Sequence, residues 1–119
     1  MKRLLTILSL GFCLACTNSQ SSHTETAKIV VESFYQKDLP ALEKYTTQES
    51  FQSFLQIQDV FPVENKDSNF QVIQETEDGN IAWVQFTTAY EEQPETFKLI
   101  KVDGIWKVTE IKMGEKGPF

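Results

Sequence analysis

The sequence predicts one small α+β domain, with its helices first and a four-stranded antiparallel meander after them. Three observations predict it. Apolar residues recur at helical spacing from Ala27 to Phe34, the period switches from helical to alternating at Phe70, and three turn signals then cut the remainder into strand-length pieces. A chain of 119 residues has room for one core. At this size folding buries about two-thirds of the surface the unfolded chain exposes, so the domain can fold alone. The sequence contains no internal repeat.

A leader precedes the domain. Met1-Lys2-Arg3 is a positive n-region, and Leu4 to Ala15 is an apolar run of signal-peptide length. It falls short of the about 20 apolar residues that span a bilayer. The run ends Cys13-Leu14-Ala15-Cys16, which resembles the bacterial lipobox, an aliphatic residue, two mostly small ones and a cysteine recognised by the lipoprotein signal peptidase. Cys13 stands where leucine is usual, and Leu14 is larger than average for its place. The resemblance implies a signal peptide over 1–15, a diacylglycerol on the Cys16 thiol and a mature N-terminus at its amine. Two or three acyl chains pass the two-signal threshold for stable membrane anchoring. The alternatives are an ordinary secretory signal cut near Ala15, leaving Cys16 a free thiol, and an uncleaved anchor. Cleavage would remove Cys13, so Cys16 has no disulfide partner and stability must come from packing. Residues 16–23 are expected to form the lipidated cysteine and a polar tether, and 24–119 the domain. The implied location is the bacterial cell envelope. Thr17, rather than aspartate, after the cysteine points to the outer membrane where the cell has one.

The helical half divides in three. Ala27, Val30, Val31 and Phe34 stand at i, i+3, i+4 and i+7, one stripe of an amphipathic helix, and Ser22 with Glu25 makes a candidate capping box. Asp38-Leu39-Pro40 interrupts the stripe. Asp38 suits an N-cap, and Pro40 suits the first turn of a second helix, where its missing N–H would have had no partner. That helix is expected to turn Leu39, Leu42 and Tyr45 inward. Thr46 and Glu49 make a further capping box before a third helix carrying Phe51, Phe54 and Leu55, and Pro62 ends the region.

Strands are expected at Phe70–Thr76, Ile81–Tyr90, Glu95–Val102 and Ile105–Met113, divided by Glu77-Asp78-Gly79-Asn80, Glu91-Glu92-Gln93-Pro94 and Asp103-Gly104. Asp-Gly between β-formers is a strong hairpin signal, because a type I′ turn needs positive φ twice. A two-residue turn there sets Val102 opposite Ile105, Lys101 opposite Trp106 and Leu99 opposite Val108. A four-residue loop at Glu91 to Pro94 sets Thr88 opposite Phe97, Phe86 opposite Leu99 and Trp83 opposite Val102. Alternation then gives one face Val84, Phe86, Thr88, Phe97, Leu99, Trp106 and Val108, and the other Ile81, Trp83, Ile100, Val102 and Ile105.

The helix Ala27-x-x-Val30-Val31-x-x-Phe34-Tyr35, the short Asp38-Leu39-Pro40-Ala41-Leu42-x-Lys44-Tyr45 and the ending from Leu99 through Asp103-Gly104-Ile105-Trp106-Lys107-Val108 resemble the nuclear transport factor 2-like superfamily. Within it, small bacterial lipoproteins of unknown function are most similar. The resemblance covers roughly Glu25 to Ile111, and its Asp-Gly-x-Trp-Lys-Val ending is the most specific part. It implies helices packed in the concave face of a curved four-stranded sheet, a cone-like roll often holding a cavity at its wide end. Enzymes of the superfamily place a general base and an oxyanion donor there, and this sequence has no recognisable set of those residues. A cystatin-like sheet around one long helix is the alternative, against which Pro40 and Pro62 count.

Charge narrows the partners. Removing Lys2 and Arg3 with the leader leaves 9 of the 11 basic residues against 17 acidic ones, a net charge of −8. Such a surface repels phosphate backbones, which argues against nucleic acid. No Cys/His/carboxylate cluster has metal-ligand spacing, no serine sits in a nucleophile elbow, and the glycines form no phosphate loop. No cofactor, metal or catalytic residue is therefore assigned. His23, the single histidine, falls in the tether. Asp38, Asp59, Tyr35 and Tyr45 are the polar groups placed to approach a cone interior, where a buried carboxylate would be a base and a tyrosine an oxyanion donor. Each also has a plainer reading, as a cap, a surface acid or a core-edge ring. The run Glu91-Glu92-x-x-Glu95 could bind a cation, and its plainer reading is a solvated hairpin tip.

The second sheet face carries a candidate interaction surface. Trp83, Ile100, Val102 and Ile105 make a contiguous apolar patch if nothing covers them. A homodimer, another envelope protein, or cover by the chain's own C-terminal segment near Phe119 would each account for it. The sequence thus favours a membrane-anchored, non-enzymatic binding or interaction domain, whose partner is a protein at the sheet face or a small apolar ligand in the cone. A small isomerase- or dehydratase-like enzyme is the first alternative, and an immunity-type inhibitor of an envelope-acting toxin the second. An enzyme should place a buried carboxylate or tyrosine pair within hydrogen-bond reach in an open pocket.

Overall fold

The computed structural model describes residues 21–119. The leader, Cys16 and most of the tether lie outside the described residues. Among those described, no helix is long and apolar enough to cross a membrane.

Three helices come first. Helix α1 spans His23–Gln36 and starts where the Ser22 hydroxyl accepts the Glu25 N–H at 3.1 Å. It ends on Lys37 in the left-handed region at φ 62°, with the Asp38 N–H bonded to the Ser33 carbonyl. Its stripe of Ala27, Val30, Val31 and Phe34 is buried. His23 belongs to this helix and not to the tether: its imidazole pairs with Glu75 and meets the Trp106 ring edge-on at 5.5 Å. Helix α2, Leu39–Lys44, is capped by Asp38 with Pro40 in its first turn. Leu42 is fully buried, but Leu39, at the first position of the helix, stays exposed. Helix α3, Gln48–Gln58, is capped by Thr47 rather than Thr46. Thr46 is engaged elsewhere. Its hydroxyl donates to the Leu42 carbonyl at 2.6 Å, and its backbone forms a parallel bridge to Val108.

The sheet has order β1-β2-β3-β4, antiparallel throughout: β1 Gln71–Asp78, β2 Ile81–Thr88, β3 Glu91–Val102 and β4 Ile105–Thr109. Asp103 and Gly104 both have positive φ, and Val102, Lys101 and Leu99 pair with Ile105, Trp106 and Val108 as their turn demands. The β2–β3 register differs from expectation. Trp83 faces Lys98, Val84 faces Phe97 and Phe86 faces Glu95, because the chain reverses at Ala89-Tyr90 and not at Glu91 to Pro94. Thr88 Oγ1 accepts the Tyr90 N–H at 3.2 Å, and the Tyr90 ring settles 4.6 Å from that of Tyr35. Pro94 is carried in a bulge, where Glu92 to Pro94 stand opposite the single residue Thr87. The pairing moves by four residues, an even number, so every side chain keeps its expected face. The strand ends also move: β1 reaches Asp78, β2 stops at Thr88, β3 begins at Glu91 and β4 stops at Thr109.

The core therefore forms where alternation placed it. Val84, Phe86, Leu99, Trp106 and Val108 meet Ala27, Val30, Val31 and Leu42, with Phe51, Phe54, Phe70 and Phe97 closing the margin. Three separate helices against a curved, unclosed sheet replace the single long helix of a cystatin-like arrangement.

Candidate functional site

Strand β3 is longer than the strands beside it. Its β4 partner pairs only with Lys98 to Val102, so the half from Glu91 to Phe97 reaches past the covered sheet. The end of α1, the middle of α3 and Phe61 arrive opposite that extension. Between them lies an open pocket of about 310 Å³, lined by Phe34, Tyr35, Phe54, Phe61 and Phe97 together with Glu91 and Glu95. The rings brace one another: Phe34 lies 5.4 Å from Phe54 and 5.5 Å from Phe61, and Tyr35 lies 5.6 Å from Phe61.

Glu95 continues the inward row of Phe97 and Leu99, which is why a carboxylate is directed at the interior. Its Oε2 is buried and accepts no hydrogen bond among the described residues. Burial, and then the neighbouring charge of Glu91, push its pKa up to about 7. The Tyr35 hydroxyl donates to Glu91 Oε2 at 2.8 Å. Burial raises the phenol pKa well above its usual value, and the Glu91 bond and the charges of Glu95, Glu91 and Glu64 raise it further. The pocket is thus an aromatic chamber that carries negative charge and has its tyrosine proton already committed.

Of the four polar residues expected near the interior, Tyr35 alone lines this pocket. Asp38 is the α2 cap, Asp59 ends α3 in solvent, and Tyr45 lies along β4 with the Lys44 ammonium 5.2 Å from its ring. The run Glu91 to Glu95 is not a hairpin tip: Glu91 and Glu95 belong to the site. The signal was present in the sequence, since the alternation that turns Phe97 and Leu99 inward turns Glu95 inward too. Among the described residues no group of three or more His, Cys, Asp or Glu is placed to hold a metal ion.

On the opposite face, Trp83, Ile100 and Ile105 are half-buried and Val102 is 39% exposed. The chain's own end lies across part of it. Gly117 sits flat on the indole, where an added Cβ would come within 3.0 Å of the ring. Lys98 places its ammonium 5.8 Å from the same ring centre and pairs with Glu115. Phe119 remains 40% exposed, so the cover comes from residues before it.

The sequence matches no family model, and no curated protein is similar to it. Solved structures do resemble the fold. A Campylobacter jejuni protein provisionally described as an NTF2-like transpeptidase superposes with a TM-score of 0.63 at 15% identity, over 76% of this chain and 99% of that one. An NTF-2-like protein of unknown function from Silicibacter pomeroyi gives 0.58 at 14% identity, over 72% and 87%. A SEC-C motif-containing protein from Rhodopseudomonas palustris gives 0.56 at 20% identity, over 82% of each chain. The chain has the nuclear transport factor 2-like fold.

Proposed function

We propose that this chain is a small-ligand binding domain that works from the open end of its cone and is held in the cell envelope by a lipid on Cys16. The pocket beside Glu95 carries the binding reading. It is of the size small ligands use, its walls are aromatic, and Glu95, whose buried Oε2 accepts no hydrogen bond among the described residues, is one of its lining residues. The apolar sheet face supports the reading less well, because residues 115–117 already lie against Trp83. The anchor rests on the lipobox resemblance: Cys16→Ser should abolish incorporation of radiolabelled lipid and Cys13→Ser should leave it intact. The reverse pattern would move the anchor to Cys13.

The binding assignment is tested by mapping. One-ring fragments of mixed charge, added to the isotope-labelled full chain in lipid nanodiscs, should shift the backbone amides of Tyr35, Phe61, Glu95 and Phe97. Responses confined to Trp83, Ile100, Val102 and Ile105 would instead assign the role to the sheet face.

One observation favours an enzyme. Glu95 at about 7 has the pKa a general base needs at neutral pH, and the bonded Tyr35–Glu91 pair lines an open pocket. The electrostatics oppose it. Isomerase and dehydratase chemistry builds negative charge on an oxygen, which needs donors aimed at it. Here the tyrosine proton is held by Glu91, and two acidic groups face the space where that charge would develop. A pocket so arranged favours positive charge.

A further inference from the structure

We infer that the ligand of this pocket is a protonated amine on a small apolar body. The inference rests on the pocket assignment above and adds the charge of what enters it. Three features converge. Among the described residues lining the pocket, Glu91 and Glu95 are the charged ones and none is basic. The buried Glu95 Oε2 accepts no hydrogen bond among the described residues, and because a buried acceptor without a donor is costly, a donor brought to this carboxylate is favoured. The rings of Phe34, Tyr35, Phe61 and Phe97 line the same space, and aromatic rings attract a cation that reaches their faces.

Other occupants meet these features only in part. A neutral apolar molecule would fill the rings and leave Glu95 unpaired. A carboxylate or phosphate would meet two acids. Water would satisfy the oxygen and waste the aromatic wall. A quaternary ammonium would answer the charge but brings no N–H. A primary or secondary ammonium supplies the donor, the charge and, through its carbon body, the apolar contact. The volume of about 310 Å³ limits that body to one ring or a short alkyl chain.

The test compares benzylamine, benzyl alcohol and benzoate on the labelled full chain in lipid nanodiscs, with empty nanodiscs as the control for partitioning. Benzylamine should bind at least about tenfold more tightly than the neutral alcohol of the same shape. Benzoate should bind more weakly than either. Glu95→Gln should remove most of the amine's advantage over the alcohol, and Glu91→Gln a smaller part of it. Equal affinity of amine and alcohol, both shifting Tyr35 and Phe97, would overturn the amine assignment and keep the pocket. Failure of all three to shift those residues would remove the pocket as well. Should Glu95→Gln fail to fold, the amine-to-alcohol ratio on the unaltered chain decides the matter.

Discussion

Glu95 is held in a position that a carboxylate occupies only at a cost. Its raised pKa means that the folded chain holds the proton more tightly than the unfolded chain does, where the value is near 4.5. The contribution of this proton to stability is therefore complete below about pH 4.5 and is lost as pH rises through about 7. Glu95→Gln removes the penalty of ionisation. The variant should exceed the parent by on the order of 1 kcal/mol near pH 8 and by little near pH 5, as read by urea unfolding. Equal pH profiles for the two would show that Glu95 is solvated. The Tyr35 hydroxyl offers a second residue-scale check. Tyr35→Phe loses one hydrogen bond to Glu91 and should cost about 0.5–1.5 kcal/mol.

The hairpin ladder shows what is legible at the level of elements. Asp103-Gly104 fixed its register from local chemistry alone, because two successive residues with positive φ leave few other turns. Gly104→Ala should therefore destabilise by about 1 kcal/mol or more, since alanine resists φ 81°. Glu91-Glu92-Gln93-Pro94 carries the stronger turn composition of the β2–β3 connection, yet the reversal falls at Ala89-Tyr90. What decides it is tertiary: Tyr90 packs on Tyr35, its hydroxyl donates to the Lys66 carbonyl, and the Ala89 N–H reaches the Ser68 carbonyl. None of those partners is near in sequence, so no local rule could find them. A second long-range pairing displaced the α3 cap, because Thr46 is drawn into the free edge of β4. Faces survived where register did not, since alternation is insensitive to even shifts. Phe86 and Trp106 stand on the buried face, at 0% and 4% exposure. Phe86→Ala and Trp106→Ala should each cost about 3–5 kcal/mol in chemical denaturation.

At the scale of the whole molecule, the fold was readable and the site was only half readable. Periodicity and turn chemistry specify helices followed by an antiparallel meander, and the similarity of Asp38-Leu39-Pro40 and Asp103-Gly104-Ile105-Trp106 to one superfamily pointed to the cone. The site forms at a convergence of α1, α3, Phe61 and the overhanging half of β3, which no single stretch encodes. Its depth follows from β4 being five residues long while β3 is twelve. The outer face follows the same logic, since its cover depends on Gly117 fitting flat on Trp83. Gly117→Val should lift that segment and redden the tryptophan emission while leaving the circular dichroism of the domain unchanged.

The ¹³C titration of the Glu95 side-chain carboxyl, with and without benzylamine, reads whether the acid in this aromatic pocket takes a cation. The midpoint in the free chain should lie near 7. Saturating amine should lower that midpoint by about one pH unit, because a cation that binds the ionised form about tenfold better shifts it by that much. A midpoint near 4.5 in the free chain, or one that benzylamine leaves unmoved, would contradict it.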